Sequence, residues 1–275
     1  MEWNKAKNII LIFFILLNAV LAAFMLGERR RYTVTGEQQA VIRYVLAQHG
    51  ITMDAEIPRR FPPMRALLVS GYYYDEDALV EMFFTDVPSV TRIANENGEI
   101  YMYNNQAQLW IADGVVVYFN PSGLGGTPQD FIAQHFPGFE YDARSSHVDE
   151  EGTMMTFRDV YRGYMVYSNY VRFLVADAGI IEVVMQFGVI QGWDGSERPI
   201  FAPDEALITF LQRVLVFTSN PVTIWHMDIV YFTEHHNAGD ERGSTHHAVP
   251  FYRIFTHEFP IPFLINAYLN FSIDV

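Results

Sequence analysis

The residues best suited to chemistry are the histidines near the C-terminus: His226, His235, His236, His246, His247 and His257, with Glu234, Asp240 and Glu241 among them. Imidazoles and carboxylates at this density are the donor set of zinc and copper. His235-His236 and His246-His247, however, lie at the two ends of a segment, residues 234–245, that reads as the tip of a hairpin. Adjacent residues on a strand point to opposite faces, so one histidine of each pair could meet a cross-strand partner. His235, His236, His246 and His247 are thus the metal-ligand candidates, while a solvated polar hairpin tip accounts for the same residues more simply. No cofactor is expected. Histidine titrates near neutrality, but nothing in the spacing marks one of these as a pH sensor.

Two carboxylate runs, Asp75-Glu76-Asp77 and Asp149-Glu150-Glu151, have polar neighbours and read as solvated turns. General acid-base work needs a partly buried carboxyl instead. The chain has no G-x-S-x-G elbow, no P-loop, no G-x-G-x-x-G and no H-E-x-x-H. The glycines at 123–126 lack the lysine that follows in a phosphate loop, and they read as a linker. With no cysteine in 275 residues, disulfide staples, zinc-thiolate sites and cysteine nucleophiles are excluded. An enzyme is not expected, and a metal-dependent hydrolase built on the histidines is the weakest of the functional readings.

The elements that would position such residues begin with an apolar run. Residues 9–26 carry no charge and one polar side chain, Asn18. As a helix this run spans about 27 Å, enough to cross a bilayer core. Lys5 and Lys7 precede it, Glu28, Arg29, Arg30 and Arg31 follow it, and Trp3 suits an interfacial aromatic belt. A cleaved signal peptide with a site at Val20-Leu21-Ala22 competes, but the run continues through Leu26. A buried core helix would not be apolar on every face. The expectation is one N-terminal transmembrane helix, residues 9–26, in a tip of residues 1–31. Flanking charge does not decide its orientation; a large C-terminal domain can translocate regardless. Asn18, Ala19, Ala22 and Ala23 form a small, slightly polar face opposite the bulky Phe13, Phe14 and Leu17, the pattern of an interhelical contact.

Beyond residue 31 the net charge is about −17, and every cation there is arginine or histidine, since both lysines lie in the first seven residues. Such a surface argues against nucleic acid and anionic lipid headgroups as partners.

Punctuation divides the rest into a first lobe, residues 32–120, a linker, residues 121–126, and a second lobe, residues 127–275. Helices are expected at 36–48, at 127–136 with Thr127 as N-cap and Pro128 at N1, and at 203–216 with Asp204 and Glu205 in the first turn. Strands are expected at 66–74, 109–111 with 115–119 around the turn Ala112-Asp113-Gly114, 154–159, 164–176 with 180–191 around Asp177-Ala178-Gly179, 222–233, 248–257 and 263–273, with a break at 192–199. Tyr72-Tyr73-Tyr74 reads as sheet core. The plan is α+β: extracytoplasmic repeats of helix plus antiparallel sheet after the membrane segment.

The opening Met1-Glu2-Trp3-Asn4-Lys5-Ala6-Lys7-Asn8-Ile9-Ile10, running into an apolar helix with Asn18-Ala19 in its second half, resembles the start of the YycI family of two-component-system regulatory proteins. The resemblance continues in Tyr161-Arg162-Gly163-Tyr164-Met165-Val166-Tyr167-Ser168-Asn169, Pro203-Asp204-Glu205-Ala206-Leu207, Val249-Pro250-Phe251-Tyr252-Arg253 and Leu264-Ile265-Asn266-Ala267-Tyr268. It implies a YycH/YycI-like fold on a single-pass membrane protein with its N-terminus cytoplasmic and its domain outside. It further implies action with a YycH-like protein on a sensor histidine kinase of the WalK type, through transmembrane contacts, tuning the WalR response that controls cell-wall metabolism. It carries no catalytic residues. An anchored or secreted cell-envelope binding module or inhibitor, of PepSY-like or cystatin-like build, is the alternative without kinase contact.

Overall fold

A computed structural model describes residues 3, 7, 11–21, 31–71, 74–95, 98–104, 106–112, 114–233 and 245–273. Residues 11–21 are helical. Helix α1, Gly36–Gln48, starts at Thr35, whose hydroxyl accepts from the Gln38 amide while the Gln38 side chain accepts from the Thr35 N–H, a reciprocal capping box. Helix α3, Pro128–His135, is capped by Thr127 with Pro128 in the first turn. Helix α4, Pro203–Phe217, has no capping side chain at Ala202; Glu205 Oε2 instead accepts from the Ala202 N–H at 2.8 Å.

Helix α2, Glu76–Phe83, occupies what reads in the sequence as a solvated acidic turn. Asp75 is its N-cap, accepting from the Ala78 amide, and Glu76 and Asp77 complement the positive end of the helix. Leu79, Val80 and Phe83 then bury one face, which is what makes eight residues hold as a helix. Asp149-Glu150-Glu151 is a bend, with Asp149 Oδ1 accepting from the amides of Glu151 and Gly152.

Among the described residues there are sixteen strands: β1 Ile51–Met53, β2 Met64–Ser70, β3 Val90–Asn95, β4 Gly98–Tyr103, β5 Ala107–Ala112, β6 Val115–Leu124, β7 Phe139–Tyr141, β8 His147–Val148, β9 Thr153–Tyr161, β10 Tyr164–Ala176, β11 Gly179–Gln186, β12 Ile190–Arg198, β13 Val222–Thr233, β14 Thr245–Thr256, β15 Phe263–Asn266 and β16 Ser272–Ile273. Strands β9 and β10 meet at a two-residue turn, Arg162-Gly163, with φ of 51° and 87°. Positive φ at both positions suits the right-handed strand twist. Ala176 lies opposite Gly179 and Ala112 opposite Val115, closing two further short hairpins.

Two stretches expected to be irregular are strand. β6 runs through Leu124, which pairs with Ile180, so residues 121–124 are not a linker. Asn120 makes this possible: its amide donates to the Gly123 carbonyl and its Oδ1 accepts from the Ser122 N–H. A Cβ on Gly123 would come within 1.9 Å of the Ala178 carbonyl oxygen, so only glycine lets the strands approach there. The expected break at 192–199 lies largely in β12, where Gly192 and Gly195 take φ of 136° and 60°.

The chain forms two discontinuous units rather than serial repeats. The first comprises residues 1–64, 198–228 and 252–275, and the second residues 65–197 and 229–251. In the first, α1 packs on α4, β1 runs parallel to the start of β13, and β15 pairs with β14 and β16. Ile42, Leu46, Leu207, Phe210 and Val214 are buried between these elements. In the second, the sheet order is β12-β2-β14-β13-β10-β11-β6-β5-β4-β3, with β7, β8 and β9 carried on β10. One face of this sheet packs on α2 and α3 through Phe83, Phe131, Leu109, Tyr118 and Phe173, with Phe83 stacked 4.5 Å from Tyr118. Burial of each such side chain contributes about 2 kcal/mol. Tyr74 joins this core, its hydroxyl donating to the Gly114 carbonyl and accepting from the Phe187 amide; Tyr72 and Tyr73 lie outside the described residues.

The segments on which the family resemblance rests hold buried polar contacts. In the second unit, Asn169 both donates to and accepts from Gly188, and Ser168 Oγ lies 3.3 Å from Thr233 Oγ1. In the first, Tyr252 OH donates to the Phe201 carbonyl, Asn266 Oδ1 accepts from the amides of Tyr268 and Leu269, and Tyr268 OH donates to the Met64 carbonyl. A buried polar group left unpaired costs about 1–3 kcal/mol, so these contacts select one register for the strands that carry them.

Candidate functional site

The small, slightly polar helix face expected near the N-terminus is partly described. Among the described residues no helix is long and apolar enough to cross a membrane. The described part of the expected span, residues 11–21, is helical over about 16 Å. Residues 9, 10 and 22–26, with the candidates Ala22 and Ala23, lie outside the described residues. Within 11–21 every residue is exposed, the large apolar ones from Leu17 at 41% to Phe13 and Val20 at 63%. Asn18 and Ala19 share this exposure. Asn18 Nδ2 donates to the Phe14 carbonyl one turn earlier, at 2.8 Å. That bond satisfies one N–H inside the helix and leaves the second N–H and the amide oxygen for a neighbour.

Of the metal candidates, His235 and His236 lie outside the described residues. His246 and His247 sit on β14 opposite Val69 and Leu68 of β2. Being adjacent on a strand, they diverge, and His247 Nε2 reaches Asp194 Oδ2 at 2.8 Å. Among the described residues no group of three potential ligands could hold a metal ion.

A cluster that sequence reasoning did not assemble lies in the first unit. Arg253 on β14 is fully buried and grips Asp228 on β13 with two hydrogen bonds, Nε to Oδ1 at 2.9 Å and Nη2 to Oδ2 at 2.7 Å. Asp228 keeps 27% of its side chain exposed, and His226 Nε2 lies 3.3 Å from Oδ2, outside hydrogen-bond geometry. Burial pushes the Asp228 pKa up, but the Arg253 guanidinium, with a smaller contribution from His226, outweighs it and holds the carboxyl well below the usual range. Beside the cluster, residues 55–59 and 225–227 line a cleft of about 410 Å³. Trp225 is tilted 42° to the Phe255 ring at a centroid distance of 5.1 Å and stacked on His257 at 6.1 Å. The signal for this pair in the sequence was slight: Asp228 and Arg253 are 25 residues apart and meet only through the strand register.

The second unit holds a counterpart. Arg158 on β9 donates to Asp142 at 2.9 Å, and the side chains are 3% and 0% exposed. Its guanidinium lies 3.8 Å over the Tyr167 ring and also donates to the Tyr167 carbonyl, while the Ser145 hydroxyl donates to Asp142 Oδ2.

No family model matches the chain, and no curated protein matches it in sequence. Solved structures do. An uncharacterised protein from Eubacterium rectale aligns with a TM-score of 0.51 at 10% identity, over 82% of this chain and 91% of that one, which shows a shared fold. YycH from Bacillus subtilis aligns at a TM-score of 0.48 and 10% identity, over 76% of this chain and 55% of that one. The C-terminal domain of Bacillus megaterium YpeB aligns at 0.37 and 10% identity, over 74% and 97%.

Proposed function

We propose that this chain is a membrane-anchored regulator with its folded domain outside the cytoplasm, acting by binding and not by catalysis. Its target is a sensor histidine kinase of the WalK type, with a YycH-like protein as co-partner. The carrying observation is the helix at residues 11–21, apolar and exposed on all sides. Apolar side chains on every face of a helix need a non-aqueous environment, either lipid or other helices. Asn18, with hydrogen-bonding capacity left over, supplies a directional contact there, worth about 0.6–2 kcal/mol between membrane helices. The resemblance to the YycI family in the opening residues and in four later segments supplies the identity of the partner.

The test is crosslinking of the full-length protein in native membranes, combined with a membrane two-hybrid assay of Asn18→Leu. A histidine kinase recovered in the crosslinked fraction, and association reduced about threefold or more by the substitution, are the expected results. Recovery of no kinase, or association unchanged by Asn18→Leu, would sink the reading.

A further inference from the structure

The second unit presents an exposed sheet edge at β3 and an apolar sheet face beside it. Strand β3 ends the sheet order and pairs with β4 alone among the described strands. Asn95 and Gly98 close the β3–β4 hairpin across two residues, a geometry whose closing pair is hydrogen-bonded. Hydrogen-bonded pairs alternate along an antiparallel ladder, so the N–H and C=O of Arg92 and Ala94 point to the free edge. Residues 91–94 are all exposed.

The two faces beside this edge differ sharply. On the inner face Arg92, Tyr101, Leu109 and Tyr118 are cross-strand neighbours under α2, and Tyr101, Leu109 and Tyr118 are buried. On the outer face Ile93, Ile100, Trp110 and Val117 form the corresponding row, with Phe119 two residues on from Val117. Ile93, Trp110 and Phe119 are 44%, 45% and 42% exposed. An antiparallel sheet with one solvated face carries polar residues there; this row is apolar and aromatic, the composition of a surface that binds protein.

Charge narrows what would bind. Residues 75–99 contain seven acidic residues and one base, Arg92. Arg92 is already engaged, 3.0 Å from Glu99 and 3.4 Å from Glu76, and Glu76 also accepts from Tyr101 OH. Asp77, Glu81 and Asp86 are exposed around the same rim. A second copy of this chain would bring like acidic rims together, and its own β3 would place Arg92 or its acidic neighbours opposite their counterparts.

We propose that the free edge of β3 docks an extended segment of a partner protein whose side chains alternate between apolar and basic, added to the sheet as a further strand. Its main chain pairs with Arg92 and Ala94. Its apolar side chains extend the Ile93–Trp110 row on the outer face, about 4.8 Å from β3. Its basic side chains, on the opposite face, reach the acidic rim at the start of α2. This contact is separate from the membrane helix and does not depend on the partner assigned to that helix.

The probe is a fluorescent ten-residue peptide of alternating valine and lysine, titrated by anisotropy into the full-length protein in detergent. Saturable binding, weakened at least tenfold between low and high salt and at least tenfold by Ala94→Pro, is expected, because proline removes an outward N–H without taking a bond from the β3–β4 ladder. If Ala94→Pro loses its cooperative melt, Ile93→Ser with Trp110→Ser, which leaves the backbone intact, is expected to weaken binding at least fivefold. Equal binding of an alternating valine-glutamate peptide would overturn the proposal. So would binding unchanged by the folded variant, or a dimer of the full chain that the variant abolishes, which would assign the edge to a second copy.

Discussion

In the second unit Arg158 and Asp142 are sealed together, 3% and 0% exposed, whereas in the first unit Arg253 is sealed but Asp228 keeps 27% of its side chain in solvent. The chemistry is the same and the surroundings are not. Arg158 is held by the Tyr167 ring and carbonyl on β10 and by the turn at Ala143–Ser145, so its pair ties three elements of one unit. Arg253 binds Asp228 in a two-pronged grip whose outer oxygen faces His226 and lies beside the cleft at residues 55–59. A fully desolvated pair gains strength from the low dielectric and leaves a naked charge when broken, while a half-open one can be rehydrated. The first arrangement specifies register; the second keeps an acid reachable from outside.

The largest test of this contrast is Arg158→Met. Removing one partner of a sealed pair strands Asp142, and a loss of about 3–5 kcal/mol in chemical denaturation is expected. A loss under about 1 kcal/mol would mean that water reaches Asp142 and that the two pairs are alike.

Arg253→Met should cost less, about 2–3 kcal/mol, because Asp228 can turn toward solvent. The same variant has a pH signature. Asp228 has a folded pKa below its unfolded value near 4, so below about pH 4 the unfolded state holds more protons and acid erodes the stability this carboxylate contributes. That contribution is fully present above about pH 4 and is lost as pH falls toward the folded pKa. Without Arg253, burial is opposed only by the smaller contribution of His226, and the acid-side slope should flatten or reverse. A slope unchanged from wild type, measured by denaturant midpoints between pH 5 and the lowest pH at which the protein stays soluble, would refute the assignment.

The smallest effect is expected at the exposed end of the same scale. His247 and Asp194 meet at 2.8 Å with 56% and 46% exposure. His247→Ala should shift stability by less than about 0.5 kcal/mol, and the shift should vanish in high salt. A loss comparable to that of Arg253→Met would show that exposure does not rank these pairs.

Much of the scaffold is legible in the amino-acid sequence. Thr35, Thr127 and Pro203 open helices at the expected places, and β10 and β13 have the boundaries that hydrophobic runs and turn residues marked out. These signals are local: a cap, a fixed proline φ or a turn glycine acts on neighbours within four residues. The acidic run at 75–77 was misread because a solvated turn and a helix N-terminus use the same residues, and only burial of Leu79, Val80 and Phe83 separates them.

Sequence by itself determined helices α1, α3 and α4, strands such as β10 and β13, the apolar segment with its single asparagine, and the acidic, cysteine-free character of everything after it. Tertiary structure alone decided which distant strands meet. It inserted β2 between β12 and β14, ran β13 parallel to β1 and β10, and carried β6 through Gly123 to Leu124. Strand pairing of the same kind made both arginine–aspartate contacts, β9 with β7 for one and β14 with β13 for the other, and left β3 at the end of the sheet order. The reason is that pairing partners are selected by register and burial summed over the whole sheet, and no residue's own chemistry records where its strand will lie.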